Sequence, residues 1–84
     1  MTAIEQLLAL ARTYAEAEGV SLSTVSSRAF ADGKKIRVME NGADISTRRL
    51  ARTLQWFSDN WPQTAPWPID IPRPVRIPQP EPTA

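Results

Sequence analysis

Apolar residues recur at helical spacing through the N-terminal part of the chain. Thr2 and Glu5 match the capping-box pattern that opens a helix. Gly19 can adopt the positive φ angle that often closes one. The pattern therefore predicts a first helix that ends at about Glu18. Its apolar positions are Ile4, Leu7, Leu8, Ala11 and Ala15, and the apolar face is widened by Leu10 and Tyr14.

A second helix is predicted to start at Ser21, whose hydroxyl makes it a favourable N-cap, and to reach Phe30 or the residue after it. Val25 and Ala29 are its inward-facing positions, and hydroxyl side chains occupy much of the remainder. Arg28 lies three residues after the inward-facing Val25. It indicates either a rotated helix or an arginine that extends outward to an anion.

Residues 34–40 admit two interpretations, a short strand or a short helix. The alternation of Ile36 and Val38 is typical of a strand, which would form a wing beside the helices. Asp32 as a cap and Asn41-Gly42 as a stop signal favour a short helix instead. We take the helix as the better prediction.

A last helix is predicted to begin after Ser46, which serves as its N-cap. Ile45 and Leu50 would pack across this cap as a hydrophobic staple. Pro62 prevents the helix from continuing. The predicted buried stripe of this helix consists of Leu50, Leu54, Phe57 and Trp61.

All eight prolines lie between Pro62 and Pro82, so this part of the chain cannot be helical. Its interleaved aliphatic residues leave three alternatives: an arm packed on its own domain or a dimer partner, a flexible tail, or a ligand for another protein. The predicted architecture is all-α, a bundle of three to four helices over residues 1–61 followed by an extended Pro-rich tail or arm over residues 62–84. So small a bundle often dimerises, and the candidate dimer contacts are Trp56, Trp61 and Trp67.

One stretch of the chain carries the spacing of a helix-turn-helix. Ala15 is small enough for a close helix crossing, Gly19 can turn the chain, and Val25 points back between the two helices. The run Gly19-Val20-Ser21-Leu22-Ser23-Thr24-Val25-Ser26 resembles the start of the recognition helix in the DNA-binding headpiece of the lac repressor family. Small phage and prophage repressors are similar. The resemblance is close over residues 7–30 and looser over residues 45–60, and it implies a domain that binds double-stranded DNA.

Side chains near the N-terminus of a recognition helix reach base edges in the major groove. The resemblance places Leu22 and Ser23 where base-reading side chains are usual. It places Ser27 where the family often has an arginine, which weakens the transfer of any known specificity. It places Arg28 where the family usually has an aliphatic residue that faces the core. A solvated polar face is the alternative interpretation of the serines. The candidate base-reading residues are Ser21, Leu22, Ser23, Ser26 and Ser27.

Positive charge is concentrated in the middle of the chain. Residues 28–52 hold seven Lys and Arg against three Asp and Glu, although the whole chain has a net charge of only +1. Cations and helix N-termini both attract the phosphates of a DNA backbone, although any single cation is equally an ordinary surface charge. The candidate phosphate-binding residues are Thr24, Arg28, Lys34, Lys35, Arg37, Ser46, Thr47, Arg48 and Arg49, with Arg52 as a further candidate.

Composition argues against an enzyme. The chain has no cysteine, no histidine and only three glycines, which removes thiol nucleophiles, the commonest general base, zinc-finger ligands and Gly-rich phosphate loops. We expect no cofactor and no metal. No apolar run approaches the length of a membrane span, and a bacterial cytoplasmic location, at the nucleoid when bound, is expected.

Together these observations predict a sequence-specific transcriptional regulator, a homodimeric repressor or autoregulator of prophage type. It would bind an inverted repeat through the Ser21–Arg28 helix in the major groove. The competing interpretation is a protein-interaction adaptor or antitoxin-like module that acts through the Pro-rich C-terminal arm.

Overall fold

The computed structural model of the chain describes residues 2–74. Over these residues the chain forms four helices and no strand, which confirms the all-α prediction. The short helix predicted within residues 34–40 is present, and the wing alternative is wrong. The helices are α1 (Ala3–Glu18), α2 (Leu22–Phe30), α3 (Lys35–Glu40) and α4 (Thr47–Asp59).

Local side-chain chemistry sets both ends of α1 and the start of α2. The Thr2 hydroxyl accepts a hydrogen bond from the Glu5 N–H at 3.1 Å, and the Glu5 carboxylate accepts one from the Thr2 N–H at 3.0 Å. At the other end of α1, Gly19 has a φ of 66°, where a side chain would introduce strain. Ser21 then caps α2 by accepting a hydrogen bond from the Thr24 N–H at 3.2 Å. The chain therefore turns sharply from α1 into α2.

The core draws on all four helices and on one residue beyond them. Leu7 and Leu10 of α1, Val25 of α2 and Phe57 of α4 are almost completely buried. Burial of one such side chain stabilises a fold by about 1.5–3 kcal/mol, so these positions supply much of the stability of so small a unit. The other members of the core are Leu8, Ala11, Tyr14, Ala15, Phe30, Ile36, Met39 and Ile71.

An aromatic cluster joins α1 to α4 and to the chain that follows. The Tyr14 ring centroid lies 5.5 Å from that of Trp56 and 5.8 Å from that of Phe57. The rings of Trp61 and Trp67 pack edge to face with their centroids 4.9 Å apart, a favourable geometry for aromatic pairs. All three tryptophans that were predicted as dimer contacts thus pack against rings of their own chain.

The buried stripe predicted for α4 is only partly right. Phe57 is buried, but the other three predicted positions are half-buried. Two polar residues, Thr53 and Ser58, are buried instead. Burial of a hydroxyl is tolerated when it is hydrogen-bonded, and the Thr53 hydroxyl donates to the Arg49 carbonyl at 2.8 Å. Ser58 finds its partners in the segment after α4.

Residues 62–74, here called the strap, fold back over the end of α4. Hydrogen bonds within the strap close turns at Ala65 and Ile71, so this part of the chain is not one extended arm. Ile71 is only 4% exposed and belongs to the core. Arg73 donates to the Ser58 hydroxyl at 3.2 Å and to its carbonyl at 2.9 Å. The strap therefore packs on its own domain, whereas the predictions for residues 75–84 lie outside the described residues.

Candidate nucleic-acid interface

α2 packs against each of the other three helices and still leaves one side open. Val25, Ser26 and Phe30 lie on its buried side. Ser23 and Ser27, which are separated by one helical turn, lie on the open side and are exposed. The open side is completed by exposed Arg28 and half-buried Thr24. α2 therefore packs on three helices while Ser23 and Ser27 present short polar side chains outward.

Ser26 is not a base-reading residue, which corrects the prediction made from the sequence. It is completely buried. Its hydroxyl donates to the Asp32 carbonyl and accepts from the Ile36 N–H at 3.0 Å. The hydroxyl therefore joins α2 to the turn before α3 and to the first residues of α3. The signal that could have located it is its spacing, because Ser26 lies one helical turn from the apolar side chains of Leu22 and Phe30.

The first two candidate base-reading residues have structural tasks as well. The Ser21 hydroxyl caps α2 and lies 3.1 Å from the Thr24 hydroxyl. Leu22 is half-buried and packs against the core. The residues of this set whose side chains are both exposed and free of such a task are Ser23 and Ser27.

A close contact with the next turn fixes the surroundings of Ser27. A side chain on Gly33 would place its Cβ 3.1 Å from the Ser27 hydroxyl and 3.8 Å from the Ser23 carbonyl. The absence of a side chain at Gly33 therefore lets the turn before α3 approach α2 closely. Ser27 is thus an exposed candidate base-reading position whose hydroxyl borders this turn.

Arg28 reaches towards α1. Its guanidinium donates to the Tyr14 hydroxyl at 3.2 Å, although the residue remains exposed. The unusual position of an arginine three residues after Val25 is thereby explained, because its head group leaves the core and meets a phenol at the edge of the aromatic cluster. Arg28 lies at one border of the open side of α2.

The cations predicted to bind phosphate fall into two groups. One is on and just before α3, where Lys34 and Arg37 are exposed and Lys35 is half-buried. The other, here called the α4 group, is at the start of α4 and consists of the exposed residues Arg48, Arg49 and Arg52. The backbones of α3 and α4 do not come into contact within the described residues, whereas both contact α2. Each group therefore neighbours α2 separately.

The α4 group borders a groove between the C-terminal end of α2 and the N-terminal end of α4, with a volume of about 360 Å³. Arg49 is held there by α2, since it donates to the Phe30 carbonyl at 3.4 Å and its guanidinium carbon lies 5.7 Å from the centroid of the Phe30 ring. The groove is lined by Ala29, Phe30, Ser46, Arg48, Arg49, Arg52 and Thr53. No acidic side chain of the described residues is among them.

Among residues 2–74, no three His, Cys, Asp or Glu side chains come together as a metal site. Nor does this part of the chain contain a helix with both the length and the apolar character needed to cross a membrane. Comparison of the chain with protein-family models, curated proteins and solved structures gave no match. The resemblance to the lac repressor family therefore rests on the residues that carry it.

Proposed function

We propose that the protein is a sequence-specific DNA-binding regulator of transcription, a prophage-type repressor or autoregulator. In this proposal α1 and α2 are the two helices of a helix-turn-helix, and the Ser21–Arg28 helix lies in the major groove. One observation carries the proposal: α2, which has an open polar side, contacts both of the helices that carry the separate groups of cations, α3 and α4.

This arrangement matches what a duplex presents to a protein. The major groove offers base edges to an inserted helix, and the phosphates of both strands border the groove. Ser23 and Ser27 are the exposed side chains that would meet base edges. Serine can donate or accept, but it lacks the two-point pairing that arginine makes with guanine. Readout of DNA shape therefore contributes to the proposed specificity.

A homodimer is part of the proposal. One module of this size contacts few base pairs, and pairing two modules on an inverted repeat multiplies affinity. Two of the three candidate tryptophans already use their indole N–H within the chain: that of Trp61 donates to the Ala65 carbonyl at 2.8 Å, and that of Trp67 to the Ile71 carbonyl at 2.7 Å. A dimer that used Trp61 or Trp67 would therefore form over their outer ring surfaces and not through new indole hydrogen bonds.

The proposal is tested by titrating the protein with genomic DNA fragments, including the region upstream of its own gene, across a salt series. A specific complex should persist near physiological salt. Ser23→Glu and Ser27→Glu should abolish it, because a carboxylate on the open side of α2 would face phosphates and acceptor-rich base edges. Circular dichroism should remain that of the wild-type protein.

Gln63→Glu is the matched control, since it adds the same charge at an exposed position of the strap. It should bind DNA as the wild-type protein does. Binding that is weak, blind to sequence and lost by about 0.2 M salt would refute the proposed function. Equal binding by the two serine variants and the control would refute the role of α2.

A further inference from the structure

The groove between α2 and α4 concentrates positive charge that no ion pair within residues 2–74 neutralises. Arg48, Arg49 and Arg52 line it, and no acidic side chain of the described residues is part of the lining. The ion pair within residues 2–74 is formed elsewhere, between Arg12 and Glu40 at 2.9 Å. Guanidinium groups held together in this way repel one another, and an anion placed between them would relieve the repulsion.

The three arginines are not equivalent. All three are exposed, but the guanidinium of Arg49 lies against the Phe30 carbonyl and ring of α2. Arg48 and Arg52 lie one helical turn apart on the same face of α4. No protein hydrogen bond orders their guanidinium groups among the described residues. Arg48 and Arg52 are therefore available to a ligand. Arg49, which lies against Phe30, would position that ligand between them.

We infer that this groove binds one backbone phosphate of duplex DNA, with Arg48 and Arg52 as its ligands and Arg49 as a positioning residue. The inference rests on the proposed function and assigns the contact that anchors it. Guanidinium groups bind phosphate oxygens in two-point geometry. The first turn of α4 adds backbone N–H groups and the positive end of the helix dipole at the same place.

The structure favours a phosphate within a polymer over a free nucleotide. Phe30 supplies the aromatic ring of the groove, but the ring is buried and faced by Arg49. No stacking surface therefore remains in the groove for a base, whereas a phosphodiester needs none. The groove also adjoins the C-terminal end of α2, so a phosphate bound there would fix how α2 lies along the major groove.

The inference is tested by measuring the affinity for a short duplex of arbitrary sequence as a function of salt, by fluorescence anisotropy. Arg48→Gln and Arg52→Gln should each lower the slope of log K against log salt, and the double variant should lower it by about one unit for the lost phosphate. Arg49→Lys retains the charge but changes the contact with Phe30. It should weaken binding and leave the slope unchanged, which distinguishes a positioning residue from a ligand.

Inorganic pyrophosphate supplies an independent readout by ¹H–¹⁵N correlation spectra. It should shift the amide signals of residues 46–49 and of Phe30 in the wild-type protein and in Arg12→Gln, which removes the same charge from an exposed position of α1. It should not shift them in the Arg48→Gln/Arg52→Gln variant. Shifts of equal size in that variant would overturn the inference.

The remaining outcomes separate this inference from the proposed function. Wild-type salt slopes in the Arg48 and Arg52 variants would overturn the phosphate contact, even if the protein binds its operator specifically. Sequence-blind duplex binding with the expected loss of slope would refute the regulator and retain the phosphate contact. Pyrophosphate binding without any duplex binding would overturn both, and would assign the groove to a free phosphate compound.

Discussion

Ser26→Ala is the substitution that tests the internal geometry of the domain most directly. It removes a hydroxyl that is completely buried and leaves the Ile36 N–H without the partner it has at 3.0 Å. The Asp32 carbonyl loses a donor as well. An unpaired buried donor costs about 1–3 kcal/mol. We therefore expect the free energy of unfolding to fall by about that amount.

Unfolding by urea, followed by tryptophan fluorescence, suits the measurement because the indoles belong to the aromatic cluster. Each kcal/mol should also lower the melting temperature by about 4–8 °C in a domain of this size. Ser27→Ala is the matched control. It makes the same gain in helix propensity at an exposed position, and it should stay within about 0.5 kcal/mol of the wild-type protein.

The difference between the two variants isolates the buried hydroxyl. A Ser26→Ala protein as stable as Ser27→Ala would refute the reasoning, since the hydroxyl could then not be what joins α2 to α3. A lower stability with an unchanged urea dependence would support it, because the surface exposed on unfolding would be the same in both variants.

Two further substitutions test the turn between α1 and α2 and the packing of the strap. Gly19→Ala should destabilise the domain by about 1–2 kcal/mol, because φ is 66° at this position, and a thermal melt that matches the wild-type protein would contradict a left-handed turn there. Ile71→Ala should lower the unfolding free energy by about 2–5 kcal/mol through the cavity it leaves. Its control, Ile69→Ala, alters a side chain that is 98% exposed and should be nearly neutral in urea, so equal effects at the two positions would show that the strap does not contribute to the core.

Much of the fold could be predicted because the signals are local. The capping box at Thr2, the glycine at position 19 and the N-caps Ser21 and Ser46 each act within a few residues, and the structure has all of them. The short helix α3 was less certain from sequence. Its apolar residues fit a strand as well as a helix, and the choice depends on Ile36 and Met39 both reaching the core.

The wrong predictions of burial concern polar residues whose hydrogen-bond partners lie in turns or far away in the sequence. From the sequence, Ser26 is predicted among the base-reading residues of α2, yet its hydrogen-bond partners lie in the turn and helix that follow. Ser58 is buried because Arg73 and Pro74 supply its hydrogen bonds. Hydrophobic periodicity can indicate that such a residue is buried, as the spacing from Leu22 and Phe30 does for Ser26, but it does not identify the hydrogen-bond partners.

The candidate site was predictable as a composition and not as an arrangement. The concentration of Lys and Arg in residues 28–52 is visible in the sequence. Its division between α3 and α4 depends on how both helices pack on α2. Arg49 looked equivalent to Arg48, but the Phe30 carbonyl and ring give it a distinct environment.

The strap has a consequence for the order in which the protein matures. A chain emerges from the ribosome N-terminus first, so all four helices are outside before Trp67 and Ile71 can complete the core. Until then the growing chain shows an uncovered aromatic surface around Trp61. A product that stops after α4 would keep that surface exposed, which is the feature that chaperones and proteases recognise in incomplete proteins. Completion of the core thus depends on a segment that is synthesised after α4.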